Sequence, residues 1–369
     1  MVVAARSLPL PMEWQNAAQL TPSPWNHMEQ TGLPVSLRIG GSLVGCAYYW
    51  LIHAVGNLMM IAPESQPLFI PPPADWPVKW WSRQDFFVHF ATVASLYAAR
   101  LTLLVPIVLL ARRMLASPYA QTAYVVVVLV TLGGTPPMAV SAFFQAMRQV
   151  VDWPLGYYNF GHELLLADFA AIGFVNLLLL VLASPAGSNT TRVAILAAIG
   201  QLCFENLGFV TGVAAGLTAL LSGQGRRQAL RLFVAAGLAS APIMAVLVTL
   251  DLTMMTKVVE GGGSTLGYFS SKWLTVARQN FLWIKLVIAH LISLSVFPLL
   301  GGLILRLTQR QRPQYTWRNA ALAVTAAVAT SLVLGSLVSG FFPDFGRQMA
   351  FFLSLLPAFS LTLTRVSGR

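Results

Sequence analysis

Asp85, His89 and Arg100 fall within about 60° of one another on an ideal helix, at 100° per residue. A carboxylate, an imidazole and a guanidinium along one groove can hold a hydroxyl, take its proton and neutralise an anion. Arg100 cannot leave the apolar segment easily. Only eleven residues separate it from Arg112, about 17 Å of helix. An arginine within such a run costs roughly 2.5–3.5 kcal/mol on the most lenient scale, so it marks either a functional site or a structural ion pair, here with Asp168 or Glu205.

Two further polar groups interrupt apolar sequence. In DWPLGYYNFGHELLLADF, His162 and Glu163 precede the apolar run and Asp168 lies a turn inside it. Glu163 suits a helix start, where the macrodipole favours an acid, but that does not account for Asp168. The two are about 140° apart around a helix and do not form one carboxylate pair. His162-Glu163 lacks the second histidine of a zinc motif, so no metal site is expected, although a divalent cation is left open. In QLCFENLGF, Gln201, Glu205 and Asn206 form a costly cluster in apolar surroundings. Its bland reading is a polar plug for a broken backbone. Arg347, beside Asp344, precedes the last apolar run.

The elements that must position these residues are membrane helices. The chain is 56% hydrophobic and 9% charged, far from soluble composition. The fold class expected is all-α, a polytopic integral membrane protein with about eight full spans. These fall at about 40–61, 86–111, 120–146, 164–184, 231–251, 281–305, 319–340 and 348–364. Residues 1–39 read as a cytoplasmic N-terminal arm without a cleavable signal. Residues 40–369 read as one transmembrane domain with outer loops at about 62–85, 147–163, 252–280 and 341–347. The GGTPP run at Gly133–Pro137 is expected to break or kink the third span, and the glycines at 261–263 suit a lid. Val193–Leu221 would make a helix of about 43 Å, too long for a ~30 Å hydrocarbon core. Its polar middle predicts a hairpin that returns to the side it left.

With that hairpin, fourteen of the 23 Lys and Arg face the cytoplasm and ten of the twelve acids lie toward the outer face, in keeping with the positive-inside rule. The net charge of +11 is then mostly the arginine excess that orients the spans, with attraction to anionic lipid headgroups. The basic residues form no stripe, so nucleic-acid binding is excluded. Cys46 and Cys203 show neither metal spacing nor a disulfide pattern. No Rossmann fingerprint or Walker motif is present, which fits chemistry whose donor arrives within the bilayer.

The stretch HFATVASLYAAR (His89, Phe90, Ala94, Ser95, Tyr97, Arg100) resembles the juxtamembrane segment of protein O-mannosyltransferases, of the GT-C class of polyprenyl-phosphate-sugar glycosyltransferases. The resemblance covers about sixteen residues. It departs where Phe86 replaces the family's glutamate and where Asp85 stands four residues, not three, before His89. Glu205-Asn206 and Arg347 are similar to features of divergent members.

The resemblance implies Asp85 as catalytic base; Glu205 and Asp168 are secondary candidates from their own placement in apolar sequence. Arg100 and Arg347 become phosphate partners, and His89, His162 and Glu163 substrate-binding residues. The donor implied is a polyprenyl-phosphate-linked sugar and the acceptor an extracytoplasmic glycan or lipid, at a bacterial inner membrane with the N-terminus cytoplasmic. Two rival classes stand beside this: a secondary transporter or lipid flippase, and a non-catalytic subunit of a membrane assembly. The topology has a direct check. With Cys46 and Cys203 replaced by Ser, Glu260→Cys should react with an impermeant maleimide from outside and Arg310→Cys only after permeabilisation. Cytosolic labelling at 260 removes the proposed topology.

Overall fold

Apolar runs with little amphipathic character form helices that are buried or face lipid, and that is the pattern observed. The computed structural model describes residues 39–59, 83–132, 166–184, 189–258, 292, 294–307, 315–338 and 342–363. Among them there is no strand. The helices are α1 (Ile39–Leu58), α2 (Arg83–Met114), α3 (Pro118–Leu132), α4 (Leu166–Leu182), α5 (Thr190–Cys203), α6 (Leu207–Leu221), α7 (Arg226–Val258), α8 (Leu294–Leu307), α9 (Tyr315–Val338) and α10 (Phe342–Leu363).

Among the described residues three helical segments are long and apolar enough to cross a membrane: Ala94–Met114, Arg226–Val246 and Thr316–Leu334. The other apolar helices are shorter. Large apolar side chains point outward, among them Leu101 (70% exposed), Leu230, Leu238 (73%) and Ile304. An apolar exterior of this extent suits membrane association rather than a soluble surface.

The helix starts and stops follow local chemistry. The Asn189 Oδ1 caps α5 by accepting the Arg192 backbone N–H at 3.1 Å. Gly223 and Gly225, at φ 75° and 87°, make the tight link from α6 to α7. Three expected loops are partly helical, and the one placed at 62–85 gives way to α2 at Arg83. The outer loop placed at 252–280 begins later, because α7 continues to Val258; no Gly or Pro lies between Asp251 and Gly261. The loop placed at 341–347 is helical from Phe342 onward, so Asp344 and Arg347 belong to the start of α10. Pro343 falls in that first turn, where a missing N–H costs no intrahelical bond. The GGTPP run, the glycines at 261–263 and the loops at 62–82 and 147–163 lie outside the described residues.

Val193–Leu221 is not one helix. Phe204 is extended (φ −161°, ψ 142°) between α5 and α6, and a Cβ on Gly200 would lie 3.1 Å from the Leu207 carbonyl oxygen. In a continuous helix those residues would be about 10 Å apart along the axis. The direction of α6 follows from its neighbours. Phe204 packs on Phe351 with ring centres 4.9 Å apart. One turn later in α10, Ser354 meets Asn176 of α4 at 3.1 Å. Gly200 lies against Phe174, so α10 runs from the break toward the Leu182 end of α4.

α9 is joined to α10 by only three residues, 339–341, and packs against it, so it runs the opposite way. Along α9, Ser331 meets Asn206 at the break and Asn319 meets the Leu221 carbonyl. Leu221 therefore lies near the end from which α5 sets out: α5 and α6 form a hairpin. Both pack on α7.

Glycine sets the closest approaches. Gly208, Gly212 and Gly216 recur every fourth residue and bring α6 onto α7, where a Cβ on Gly212 would sit 3.1 Å from the Ala236 Cβ. Gly173 in α4 rests on α2, and a Cβ there would collide with the Leu103 carbonyl. Because the obstacle is backbone rather than a flexible side chain, Gly173→Ala should lower stability by about 1–3 kcal/mol. Thermal unfolding of detergent-purified protein reads the change, and an unaltered midpoint contradicts the packing.

Candidate functional site

Arg100, Asp168 and Glu205 occupy one level of the bundle. The Gly173–Leu103 contact aligns α4 with α2. Arg100 is three residues before Leu103 and Asp168 five before Gly173, so with α2 and α4 descending together they differ by about a turn at most. The Gly200–Phe174 contact aligns α5 with α4. From it, five residues forward to Glu205 and six back to Asp168 climb by similar amounts in the same direction. Arg112 and Arg113 mark the far end of α2, about 18 Å of helix below Arg100.

Arg100 is half-buried and bracketed by rings. Its guanidinium carbon lies 5.7 Å from the Tyr97 ring centre and 5.3 Å from that of Phe169, both within cation–π reach. Tyr97 stands one turn before Arg100 on α2, and Phe169 directly follows Asp168 on α4. The Phe169 contact thus draws Arg100 to the Asp168 segment. Asp168 is fully buried in the first turn of α4, where the helix dipole favours an anion. On another face of α2, Thr102 Oγ1 shares a 2.6 Å hydrogen bond with the Tyr48 hydroxyl of α1. Tyr97 is 43% exposed, so this part of the cluster reaches the outside of the bundle.

Glu205 is half-buried in the hairpin turn. Its backbone carbonyl accepts the Gln201 Nε2–H at 2.7 Å, and the same amide nitrogen lies 3.2 Å from the Met244 Sδ of α7. Asn206 Nδ2 donates to the Ser331 hydroxyl at 2.8 Å. Start-of-helix Gly40 packs against Leu202 and Cys203, which places the beginning of α1 beside the same turn. The polar plug foreseen for the broken backbone is therefore built from Gln201, Asn206 and Ser331. Cys203 is a buried free thiol.

Of the other sequence candidates, Asp85 and His89 lie in the first turns of α2 and Arg347 in those of α10, with their side chains outside the described set. His162 and Glu163 lie outside the described residues altogether. Among the described residues no group of three or more His, Cys, Asp or Glu could hold a metal ion.

Several residues went unnoticed in the sequence. Phe169 has no signal of its own, because which ring covers Arg100 depends on how α4 docks. Tyr97 carries a weak one, since its spacing of three from Arg100 puts both on one face. Asn176 interrupts an apolar run and was legible as a buried polar group; it donates to the Ile172 carbonyl at 2.8 Å and to the Ser354 hydroxyl at 3.1 Å. No family model, curated protein or solved structure matches this chain.

The hairpin clamp is testable. A double-mutant cycle on Asn206→Ala and Ser331→Ala should give a coupling of about 0.6–1.7 kcal/mol, the range for side-chain hydrogen bonds between membrane helices. Additive losses in thermal unfolding would show that the pair does not act together.

Proposed function

We propose that this chain is a multi-pass membrane glycosyltransferase of GT-C type, moving a sugar from a polyprenyl-phosphate carrier to an extracytoplasmic glycan or lipid acceptor. The observation that carries the reading is the Arg100 cluster: a half-buried guanidinium between Tyr97 and Phe169, next to buried Asp168 and reaching the outside of the bundle at Tyr97. A cation held by aromatic faces well above the arginine-rich end suits the phosphate of an amphiphile that reaches it sideways through the bilayer. About eight spans, a cytoplasmic N-terminus and residence in a bacterial inner membrane complete the proposal.

The roles divide by burial and position. Asp85, fifteen residues before Arg100 on the same helix, is the proposed base for the acceptor hydroxyl. Its carboxylate takes the proton as the hydroxyl oxygen attacks the sugar carbon and the carrier phosphate departs. Arg347 neutralises that phosphate when Asp85 is the base; Arg100, about 22 Å of helix from Asp85, does so when Glu205, on its own level, takes the proton. His89, His162 and Glu163 contact the sugar or acceptor. Asp168 is fully buried, which fits orienting Arg100 better than receiving a proton from an acceptor. Glu205, half-buried in the turn, is the alternative base.

A transporter is the second reading, favoured by the broken hairpin with its polar turn. Interrupted helices of this kind line substrate paths in several transporter folds. The two readings part on product: transfer leaves a new glycosidic bond, whereas transport moves solute into liposomes without covalent change. Asp85→Asn should reduce transfer by at least two orders of magnitude while the elution profile in detergent is unchanged. Transfer at the native rate in that variant removes Asp85 as the base.

A further inference from the structure

Arginines from four helices meet at the end of the bundle opposite the hairpin turn. Arg112 and Arg113 occupy the last turn of α2. Arg192 lies in the first turn of α5, Arg226 and Arg227 in that of α7, and Arg318 in that of α9. The Leu221–Asn319 contact, the four-residue link from Leu221 to Arg226 and the hairpin itself bring these helix ends to one face. All are exposed except Arg318, which is half-buried.

Little among the described residues balances the five exposed ones. The first turns of α5, α7 and α9 contain no acid, and the described Asp and Glu residues lie elsewhere in the bundle. Four of the six arginines, Arg192, Arg226, Arg227 and Arg318, stand where the backbone dipole already carries positive charge. Cation and dipole therefore add, and the face calls for anions from outside. The same arginines terminate the three segments apolar enough to cross a membrane: Arg112 and Arg113 close the first, Arg226 and Arg227 open the second, and Arg318 lies at the start of the third. Charge thus begins where the apolar belt ends, at the depth of lipid phosphates.

We infer that this end binds the headgroups of anionic phospholipids, which act as a structural counterion for α2, α5, α7 and α9. The inference rests on the membrane reading but not on glycosyl transfer.

The test uses the full chain purified in a neutral detergent. Thermal unfolding is followed while phosphatidylglycerol, phosphatidylcholine of the same acyl chains, or inorganic phosphate is added. Phosphatidylglycerol should raise the midpoint by several degrees, phosphatidylcholine and inorganic phosphate should not, and high salt should erase the gain. Arg112→Gln/Arg113→Gln and Arg226→Gln/Arg227→Gln should each lose part of it. Equal shifts with both lipids, an equal shift with inorganic phosphate, or a phosphatidylglycerol shift that survives both high salt and these variants overturns the proposal. Should a variant not fold, the salt titration of the native chain decides alone. Flotation with phosphatidylcholine liposomes tests the membrane reading separately.

Discussion

Everything in this bundle turns on a chain reversal made inside apolar surroundings. Between Cys203 and Leu207 the helix opens, and the backbone groups it releases must find partners without water. Phe204 N–H returns to the Gly200 carbonyl at 2.9 Å, Leu207 N–H reaches the Phe204 carbonyl at 3.1 Å, and Gln201 reaches across to the Glu205 carbonyl. Asn206 ties the turn to α9 through Ser331. With the reversal held, α6 runs back along α7 and α9, and the ends of α2, α5, α7 and α9 come to one face.

Close backbone approach follows from the same constraint. Without a hydrophobic drive between helices in lipid, contact area and small residues decide which pairs dock. Gly208, Gly212 and Gly216 let α6 meet α7, Gly173 lets α4 meet α2, and Gly200 leaves room for Phe174. These contacts also fix the level of the polar residues. Arg100 meets Phe169 because Gly173 can rest on the Leu103 carbonyl, so the candidate site is a consequence of helix docking rather than of any local motif.

The molecule is polarised along its axis. One end gathers exposed arginines; the polar turn and the Arg100 cluster lie well above it. That polarity is what a phosphate-bearing amphiphile, a transported ion or a partner subunit would each meet. The proposed function seats the first of these at Arg100, where two aromatic rings lie within cation–π reach.

Much of the architecture was legible in composition and spacing. Apolar length gave helices, and the polar middle of Val193–Leu221 together with its excess length gave the hairpin. Local chemistry settles such features, because backbone hydrogen bonds and apolar transfer act on consecutive residues. Tertiary structure alone decided that Phe169 meets Arg100, that Ser331 receives Asn206, and that Ser354 receives Asn176. Those partners are up to 178 residues apart, and side-chain spacing within one helix holds no information about which face of another will meet it. The register is set by where glycines permit contact, and that emerges only when the helices are packed.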